Sequence, residues 1–321
     1  MRKRILITGG FGYFGSSLAK RLIWDHEVIL AGRLASSGAV VIPARTLYFR
    51  AVRELAAEHA AEADAIVHLA GGGAPGGQSS DAAAALRDNV ESAAHIASIA
   101  PPGCRLILAS TIYTYGTGSR PFVESDTLRP DTLYGQLKAV AEAVWRQRGG
   151  TSLRFAHIYG VGSGVDFGRT GVTEKLARAA VGGSPFEMHG DGSQRIDLVH
   201  IDDACSAVEA ALVAPELPPA VNVGGGAVAV ADLVRAFGVD IAALHCQSCG
   251  DAMEYIHLEG SNADRRGCMQ CRRCGARSAG TYLDQSRAMD ISLAKQALGW
   301  VPKVALADGA KGLIEMMRGA R

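Results

Sequence analysis

The chain has 321 residues, of which 48% are hydrophobic, and its charged side chains leave a formal net charge of +1 at pH 7. This length and composition allow a full hydrophobic core, in one large α/β unit or in two domains. The near-neutral charge argues against a general nucleic-acid or anionic-membrane surface, and no apolar run reaches the roughly eighteen residues of a membrane span. Because glycines rather than a cleavable apolar stretch follow the basic start, we expect a cytoplasmic protein.

Short apolar runs alternate with stretches of helical spacing in the first part of the chain. Four of these runs have the length and β-branched content of strands, and helix-like stretches such as Ser16–Trp24 separate them. Strands that are separated in this way predict a parallel sheet with right-handed crossovers. The four predicted strands are Ile5–Thr8, Val28–Ala31, Ala65–Ala70 and Leu106–Ser110. We therefore expect an α/β fold with a doubly wound parallel sheet.

The composition of the chain changes near residue 155, where apolar density falls and glycine content rises. Short strands and helices follow, and two closing helices are predicted at 291–298 and 309–317. We therefore expect a first domain at residues 1–155 and a smaller α/β substrate-binding lobe at residues 156–321.

A glycine-rich turn follows the first predicted strand and opens a predicted helix. Its glycines are Gly9, Gly12 and Gly15. Glycines in this context permit a tight turn and a close approach of the backbone, so that a pyrophosphate can lie at the helix N-terminus. The first domain is therefore predicted to bind a dinucleotide.

The second predicted strand ends with Gly32 and Arg33, where an acidic residue normally binds the adenosine ribose of NAD. A small residue followed by arginine leaves room for a 2′-phosphate and offers it several donors. Arg33 therefore favours NADP over NAD, although a solvated surface arginine would give the same pattern.

A tyrosine and a lysine four residues apart point to proton transfer chemistry. Tyr134 and Lys138 share one face of a predicted helix, downstream of Thr111 at the end of the fourth strand. The ammonium of Lys138 is expected to lower the pKa of Tyr134. Thr111 would then bind the reacting oxygen of a substrate while Tyr134 gives or takes its proton.

These motifs resemble those of the extended short-chain dehydrogenase/reductases, in the nucleotide-sugar epimerase/dehydratase group. The resemblance runs along almost the whole chain, through 8–15, 64–70, 88–90, 110–116, 134–138, 153–160, 191–194, 222–224 and 298–302. It implies a Rossmann domain, a small C-terminal substrate lobe, and hydride exchange between a substrate carbon and a nicotinamide. It also implies a homodimer formed through a helix pair that includes residues 134–146.

The resemblance assigns roles to the predicted site residues. Tyr134 becomes the acid/base, Lys138 orients the nicotinamide ribose, and Thr111 binds the reacting oxygen. The cofactor site is expected to contain Gly9, Gly12, Tyr13, Phe14, Gly15, Arg33, Leu69, Ala70, Asn89, Tyr134 and Lys138. The substrate-binding candidates are Thr111, Tyr113, His157 and Arg195.

The chain departs from the family pattern directly after Thr111. Sugar 4,6-dehydratases are expected to carry an Asp-Glu pair there, and this chain has Ile112 and Tyr113. The acid and base that eliminate water are therefore missing, which argues against a dehydratase.

Three further departures concern the phosphate and adenine contacts. Arg195 lies one position earlier than the arginine expected to contact the nucleotide phosphates, and His157 replaces a customary asparagine. Arg50 replaces an acidic residue expected near the adenine. Either His157 donates to a phosphate or it is a buried structural histidine.

Five of the seven cysteines fall between positions 246 and 274. Cys246 and Cys249, and then Cys271 and Cys274, form two Cys-x-x-Cys-Gly knuckles of the zinc-ribbon type, and Cys268 could replace one ligand. Four thiolates would saturate the ion, so we expect a structural Zn²⁺ that stabilises a small insert at residues 245–277. The balanced charge of the insert favours a lid or a subunit contact over nucleic-acid binding.

Three hypotheses for function follow. The first is an NAD(P)-dependent enzyme that acts on a nucleotide sugar or related polyol by a 4-epimerase-like hydride shuttle. The second is an NADPH-dependent ketone reductase that uses the same residues, which Arg33 favours. The third is a non-catalytic dinucleotide-sensing protein, against which the complete set of Thr111, Tyr134 and Lys138 argues.

Overall fold

The computed structural model describes residues 2–33, 43–72, 81–162, 171–188, 192–242, 246, 248–257, 266–277, 282–283 and 286–319. The strands are β1 (Arg4–Thr8), β2 (Glu27–Gly32), β3 (Arg45–Tyr48), β4 (Ala65–His68), β5 (Arg105–Thr111), β6 (Thr151–Phe155), β7 (His157–Tyr159), β8 (Phe186–Glu187), β9 (Arg195–His200), β10 (Ala220–Val223), β11 (Ala227–Ala229), β12 (Ile241–Ala242), β13 (Met253–His257), β14 (Arg266–Cys271) and β15 (Tyr282–Leu283). The α-helices are α1 (Tyr13–Leu22), α2 (Ala57–Ala60), α3 (Ala82–Leu86), α4 (Ser92–Ile99), α5 (Leu133–Arg146), α6 (Val172–Gly182), α7 (Ile201–Val213), α8 (Val230–Ala236), α9 (Ser292–Leu298) and α10 (Leu306–Gly319). Among the helices of these ranges, none is long and apolar enough to cross a membrane.

Seven parallel strands form the central sheet, in the spatial order β10-β6-β5-β4-β1-β2-β3. The order reverses between β1 and β4, because the chain proceeds outward to β3 on one side and to β10 on the other. In such a sheet a crevice opens at the carboxyl ends of the strands beside the reversal. The predicted α/β fold with a doubly wound Rossmann sheet is confirmed.

Helices cover both faces of the sheet because successive side chains of each strand point to opposite faces. On β1, Ile5 and Ile7 point into a core that contains Leu18 of α1. Leu6, between them, points into a second core that contains Trp145 of α5. The buried part of β1 is therefore apolar from Ile5 to Ile7, which is typical of a strand in a parallel sheet between two helical layers.

One strand and one helix from the second half of the chain complete this unit. β10 pairs in parallel with β6 at the edge of the sheet. Ala204 and Val208 of α7 lie in the same core as α1. The main sheet therefore draws on chain beyond residue 155, and the exact domain boundary stays a prediction.

The remaining second half forms a smaller lobe with its own core. β11, β9 and β7 form a mixed three-stranded sheet, and β12 pairs in parallel with β8. Leu176 of α6, Leu233 of α8 and Leu313 of α10 pack in one cluster with Tyr159 of β7. The predicted small C-terminal α/β lobe is confirmed.

The cysteine-containing insert follows β12 and forms an antiparallel sheet of β13, β14 and β15. The chain returns to the lobe through the segment 286–290, which lies against β9. The amide of Arg287 donates to the carbonyl of Arg195 at 3.1 Å, and the amide of Asp197 donates to the carbonyl of Arg287 at 3.1 Å. The insert therefore rejoins the lobe at a firmly bonded strand-like segment.

Candidate functional site

The turn between β1 and α1 lies at the crevice and accepts only glycine at two positions. Gly9 has a φ of +71°, and a Cβ there would lie 2.7 Å from the amide nitrogen of Ala70. A Cβ on Gly15 would lie 2.3 Å from the carbonyl oxygen of Gly9. Gly12, the N-cap of α1, donates its amide to that carbonyl at 3.0 Å. This packing leaves the helix N-terminus open to a pyrophosphate.

A cavity of about 460 Å³ opens beside this turn. The predicted cofactor residues that line it are Gly9, Gly12, Arg33, Leu69 and Ala70. The hydroxyl of Tyr13 donates to the carbonyl of Gly160 at 2.8 Å, and the ring of Phe14 meets Phe155 edge-on at 5.1 Å between centroids. The side chains of Tyr13 and Phe14 thus hold the turn against the protein, and their contact with a cofactor stays a prediction.

Positive charge collects along the wall of this cavity, which reaches the carboxyl end of β2 at Gly32. The arginines that line it are Arg33, Arg50, Arg53 and Arg87. Arg87 lies 3.8 Å from the carboxylate of Asp81, and Asp88 also lines the cavity. Four arginines and one carboxylate line the cavity, so the cavity suits an anionic group.

The crevice also contains a buried acceptor and an ammonium side by side. The Nδ2 group of Asn89 donates to the carbonyls of Gly72 and Ala85 at 2.8 and 2.9 Å. Its buried Oδ1 has no hydrogen-bond partner among the described residues. A Cβ on Gly71 would lie 2.8 Å from this Oδ1 and 3.1 Å from Nζ of Lys138. The hydroxyls of a ribose fit this space, because they would satisfy the acceptor and accept from the ammonium.

Helix α5 carries the predicted catalytic pair. Its N-cap is Thr132, whose Oγ1 accepts from the amide of Gly135 at 3.1 Å. Nζ of Lys138 lies 5.8 Å from the ring centroid of Tyr134. Burial lowers the pKa of Lys138 to about 8 and raises the pKa of Tyr134 to about 12. The raised pKa of Tyr134 comes from burial and from the neighbouring Tyr113, and the expected lowering by the ammonium of Lys138 stays a prediction.

A buried ion pair clamps α5 to the ends of β5 and β6. Arg154 donates to Glu142 with an Nη2–Oε2 distance of 2.6 Å, and the side chains are 4% and 1% exposed. Glu142 also accepts from the hydroxyl of Ser110, the neighbour of Thr111. Arg154 also donates to the hydroxyl of Tyr115 at 2.7 Å. This network fixes α5 relative to Thr111, a residue that is 7% exposed.

Tyr113 lies beside Tyr134 and bonds to a histidine. Its ring is edge-on to that of Tyr134, with 6.2 Å between centroids. Its hydroxyl is 2.9 Å from Nε2 of His157, whose Nδ1 is 3.0 Å from the carbonyl oxygen of Asp197. Burial lowers the pKa of His157 to about 4, so the ring is neutral near pH 7. Both ring nitrogens are bonded within the protein, and a direct contact of His157 with substrate stays a prediction.

Arg287 is a site residue that the sequence did not identify. Its guanidinium carbon lies 4.6 Å from the ring centroid of Tyr113, and Nη2 is 2.7 Å from Oδ2 of Asp131. The residue is 6% exposed, so the charge is largely removed from water. A single arginine ahead of a predicted helix gives no local signal of function. Only the pairing of the segment 286–290 with β9 brings it to Tyr113.

The side chain of Arg195 bonds to the neighbouring strand β11. Its guanidinium donates to the carbonyl of Ala227, across the small sheet of β9 and β11. Its backbone amide donates to the hydroxyl of Ser286 at 3.2 Å. The predicted contact of Arg195 with substrate phosphates stays a prediction.

The insert brings four cysteines together. The Sγ–Sγ distances are 3.6 Å for Cys246 and Cys274, 3.4 Å for Cys249 and Cys271, and 3.6 Å for Cys249 and Cys274. All four sulfurs lie within 4.8 Å of one another. A tetrahedral zinc with Zn–S bonds of about 2.3 Å requires sulfurs about 3.8 Å apart. The four thiols therefore fit a zinc ion.

The two knuckles have the same backbone geometry. Cys246 and Cys271 donate their amides to the residues five positions later, Asp251 and Ala276, at 2.7 and 2.8 Å. Each following glycine returns an amide to the first cysteine of its knuckle, and these glycines have φ values of +73° and +70°. Cys268 lies outside the cluster. The alternative in which Cys268 replaces a ligand is therefore not supported.

The sequence and the fold of this chain are similar to those of known proteins. The family model described as the NAD dependent epimerase/dehydratase family matches residues 5–224. A UDP-N-acetyl-alpha-D-glucosaminuronate decarboxylase of Bacillus cytotoxicus is 28% identical, over 70% of this chain and 75% of the relative. A dTDP-4-dehydro-6-deoxyglucose reductase of Escherichia coli is 25% identical, over 98% of this chain and 97% of the relative.

A solved structure with the same fold is the UDP-glucuronic acid 4-epimerase from Bacillus cereus, in complex with UDP-glucuronic acid and NAD. Its TM-score is 0.76 at 18% identity, and the match covers 99% of this chain and 100% of that chain. By their names, the two relatives and this neighbour carry out three different reactions on nucleotide sugars. Similarity alone therefore leaves the reaction of this chain open.

Proposed function

Because the chain belongs to the NAD dependent epimerase/dehydratase family, we propose that it is a short-chain dehydrogenase/reductase that acts on a nucleotide sugar by transient hydride transfer. One observation carries the proposal: Lys138 and Asn89 face one space at the end of the crevice, with Tyr134 on the same helix face as Lys138. The end of β5, with Thr111, is clamped beside that helix. We propose a 4-epimerase-like outcome, in which one sugar carbon is inverted.

The chain's own residues handle the substrate oxygen and its proton. When bound, the dinucleotide would supply the hydride acceptor, and Asn89 and Lys138 would hold its ribose. The Oγ1 of Thr111 accepts from the amide of Tyr113 at 3.3 Å, which leaves its proton free to donate to the reacting oxygen. Tyr134 takes the proton of the substrate hydroxyl and later returns it. The ammonium of Lys138 favours the phenolate during that exchange.

Arg287 supports a substrate whose sugar carries a carboxylate. The guanidinium of Arg287 is buried beside Tyr113 and Asp131 and is well placed to donate to a second carboxylate. Charge-assisted pairs of this kind are strong where water is excluded. The names of the Bacillus cytotoxicus relative and the Bacillus cereus neighbour both contain a uronic acid. We therefore propose a nucleotide-linked uronic acid as the substrate class.

A second candidate function is net reduction of a sugar ketone with NADPH. The arginines that line the cavity favour this reduction, because they suit the 2′-phosphate that distinguishes NADPH from NADH. The Escherichia coli relative is a reductase by name. An exchanging NADPH and a retained NAD are therefore the two cofactor alternatives for the same residues.

We also propose that a zinc ion holds the insert together. The described part of the insert is a three-stranded sheet too small to bury a core of its own, and metal binding can supply the missing free energy. Four thiolates would leave no position for water or substrate, so the ion is structural. The insert rejoins the lobe at the segment that carries Arg287, which supports a role beside the substrate.

Replacing Tyr134 tests the enzymatic proposal. We expect Tyr134→Phe to lower turnover of UDP-glucuronic acid by about 10³-fold, because the proton acceptor is removed. Affinity for the dinucleotide should stay within about twofold, since Asn89 and the glycine turn are untouched. NMR of the sugar product and a fluorescence titration with NAD(P)H measure the two quantities. Unchanged turnover in the variant would contradict an enzymatic role for Tyr134.

Replacing Arg287 tests the substrate class. We expect Arg287→Met to raise KM for UDP-glucuronic acid by about 10- to 100-fold, the loss of one charge-assisted pair, with little change for UDP-glucose. Arg235→Met is the control, because that exposed guanidinium pairs with Asp232 on α8. Steady-state kinetics with both sugars measure the effect. An equal loss for the two sugars would argue against a carboxylate contact.

Replacing Arg33 tests cofactor choice. We expect the wild-type protein to bind NADPH more tightly than NADH, and Arg33→Asp to weaken NADPH binding by about 10-fold or more while NADH binding is kept. Fluorescence titration with each nucleotide measures this. Stoichiometric NAD released on denaturation of the purified wild-type protein would instead favour the retained cofactor of an epimerase.

Cysteine substitutions test the metal site. We expect Cys271→Ser to abolish bound zinc, because Cys271 lies inside the four-sulfur cluster. Cys268→Ser, three residues away and also buried, should keep one zinc per chain. Elemental analysis of both purified variants measures the metal content. Loss of zinc from the Cys268 variant alone would show that the ligand set is different.

A further inference from the structure

Two positions at which the sequence departs from its family are in direct contact. Tyr113 stands where dehydratases are expected to carry a carboxylate, and His157 replaces a customary asparagine. The hydroxyl of Tyr113 lies 2.9 Å from Nε2 of His157, although the two residues are 44 positions apart in the chain. The two departures thus form one hydrogen-bonded pair beside Tyr134.

The bonding partners determine which atom holds each proton. The carbonyl oxygen of Asp197 can only accept, so Nδ1 of His157, at 3.0 Å, carries the hydrogen. The neutral ring therefore presents a lone pair at Nε2, and Tyr113 donates its hydroxyl proton to it. Burial lowers the pKa of His157 to about 4, which keeps this arrangement near neutral pH.

The surroundings of Tyr113 keep it in place and uncharged. Burial raises the pKa of Tyr113, and the nearby charge of Arg287 opposes this effect only in part. Arg287 stacks on the ring at 4.6 Å, and Tyr134 meets it edge-on. With its proton committed to His157, the oxygen of Tyr113 can accept a hydrogen bond but has none left to donate.

We propose that Tyr113 contacts the substrate sugar as a neutral hydrogen-bond acceptor, and that His157 is the positioning residue that holds it in this state. A carboxylate at this position could remove or return a proton, as elimination of water requires. The tyrosine–histidine pair instead orients a sugar hydroxyl against Tyr134 and leaves proton transfer to Tyr134. This inference rests on the proposed action of the protein on nucleotide sugars.

A double-mutant cycle tests the pair. Binding of UDP-glucuronic acid and of UDP-glucose to the dinucleotide-loaded protein is measured by calorimetry for the wild type, Tyr113→Phe, His157→Leu and the double variant. Each single substitution should weaken binding by about tenfold, the value of one hydrogen bond. The double variant should be no more than about twentyfold weaker, because both changes remove the same contact.

His157→Gln is the conservative variant, since its amide oxygen can still accept from Tyr113. We expect it to bind the sugar nucleotide within about threefold of the wild type. Dinucleotide affinity, measured by fluorescence, should be unchanged in all variants, which shows that they are folded. A merely structural role of His157 would not couple it to Tyr113 in substrate binding.

The negative results separate a failure of the Tyr113–His157 pair from a failure of the proposed substrate class. A double variant about 100-fold weaker, the product of two independent effects, would overturn the pair while leaving the proposed function intact. The same holds if Tyr113→Phe binds like the wild type, or if His157→Gln binds as poorly as His157→Leu. If the wild-type protein binds neither UDP-sugar, the proposed substrate class fails and this inference fails with it.

Discussion

The buried ion pair between Arg154 and Glu142 is the interaction on which the site depends most. It joins α5, which carries Tyr134 and Lys138, to β6, and through the hydroxyl of Ser110 it also reaches the end of β5. Removal of either partner would leave a buried charge uncompensated, at a cost of about 3–5 kcal/mol. Glu142 lies one helical turn after Lys138, and its charge opposes the effect of burial on the pKa of that lysine. The carboxylate of Glu142 therefore positions α5 and favours the protonated form of Lys138.

The substrate side of the site is assembled from segments far apart in the chain. Tyr113 follows β5, His157 lies on β7, and Arg287 comes from the segment after the insert. Asp131 pairs with Arg287 just before the N-cap of α5. A shift of the second lobe would therefore move groups that face Tyr134, whereas the dinucleotide crevice is built almost entirely from the first lobe. This division suits an enzyme family in which one cofactor serves many substrates.

The insert carries the four-cysteine cluster. Its two knuckles repeat one pattern of backbone hydrogen bonds and converge on a single set of four sulfurs. Its ends are anchored by the pairing of β12 with β8 and of the segment 286–290 with β9. These anchors do not involve the cysteines. The proposed zinc ion would therefore stabilise an addition to the lobe, whereas the position of Arg287 depends on β9.

The sequence by itself determined the elements whose signals are local. Strand periodicity, the glycine turn from Gly9 to Gly15, the spacing of Tyr134 and Lys138, and the two cysteine knuckles each lie within a few residues, so their physics is readable without the fold. Only the tertiary structure decided which distant residues meet. It paired Tyr113 with His157 and brought Arg287 onto Tyr113. It also set the burial that raises the pKa of Tyr134, because burial depends on every element packed around a side chain and not on its neighbours in the chain.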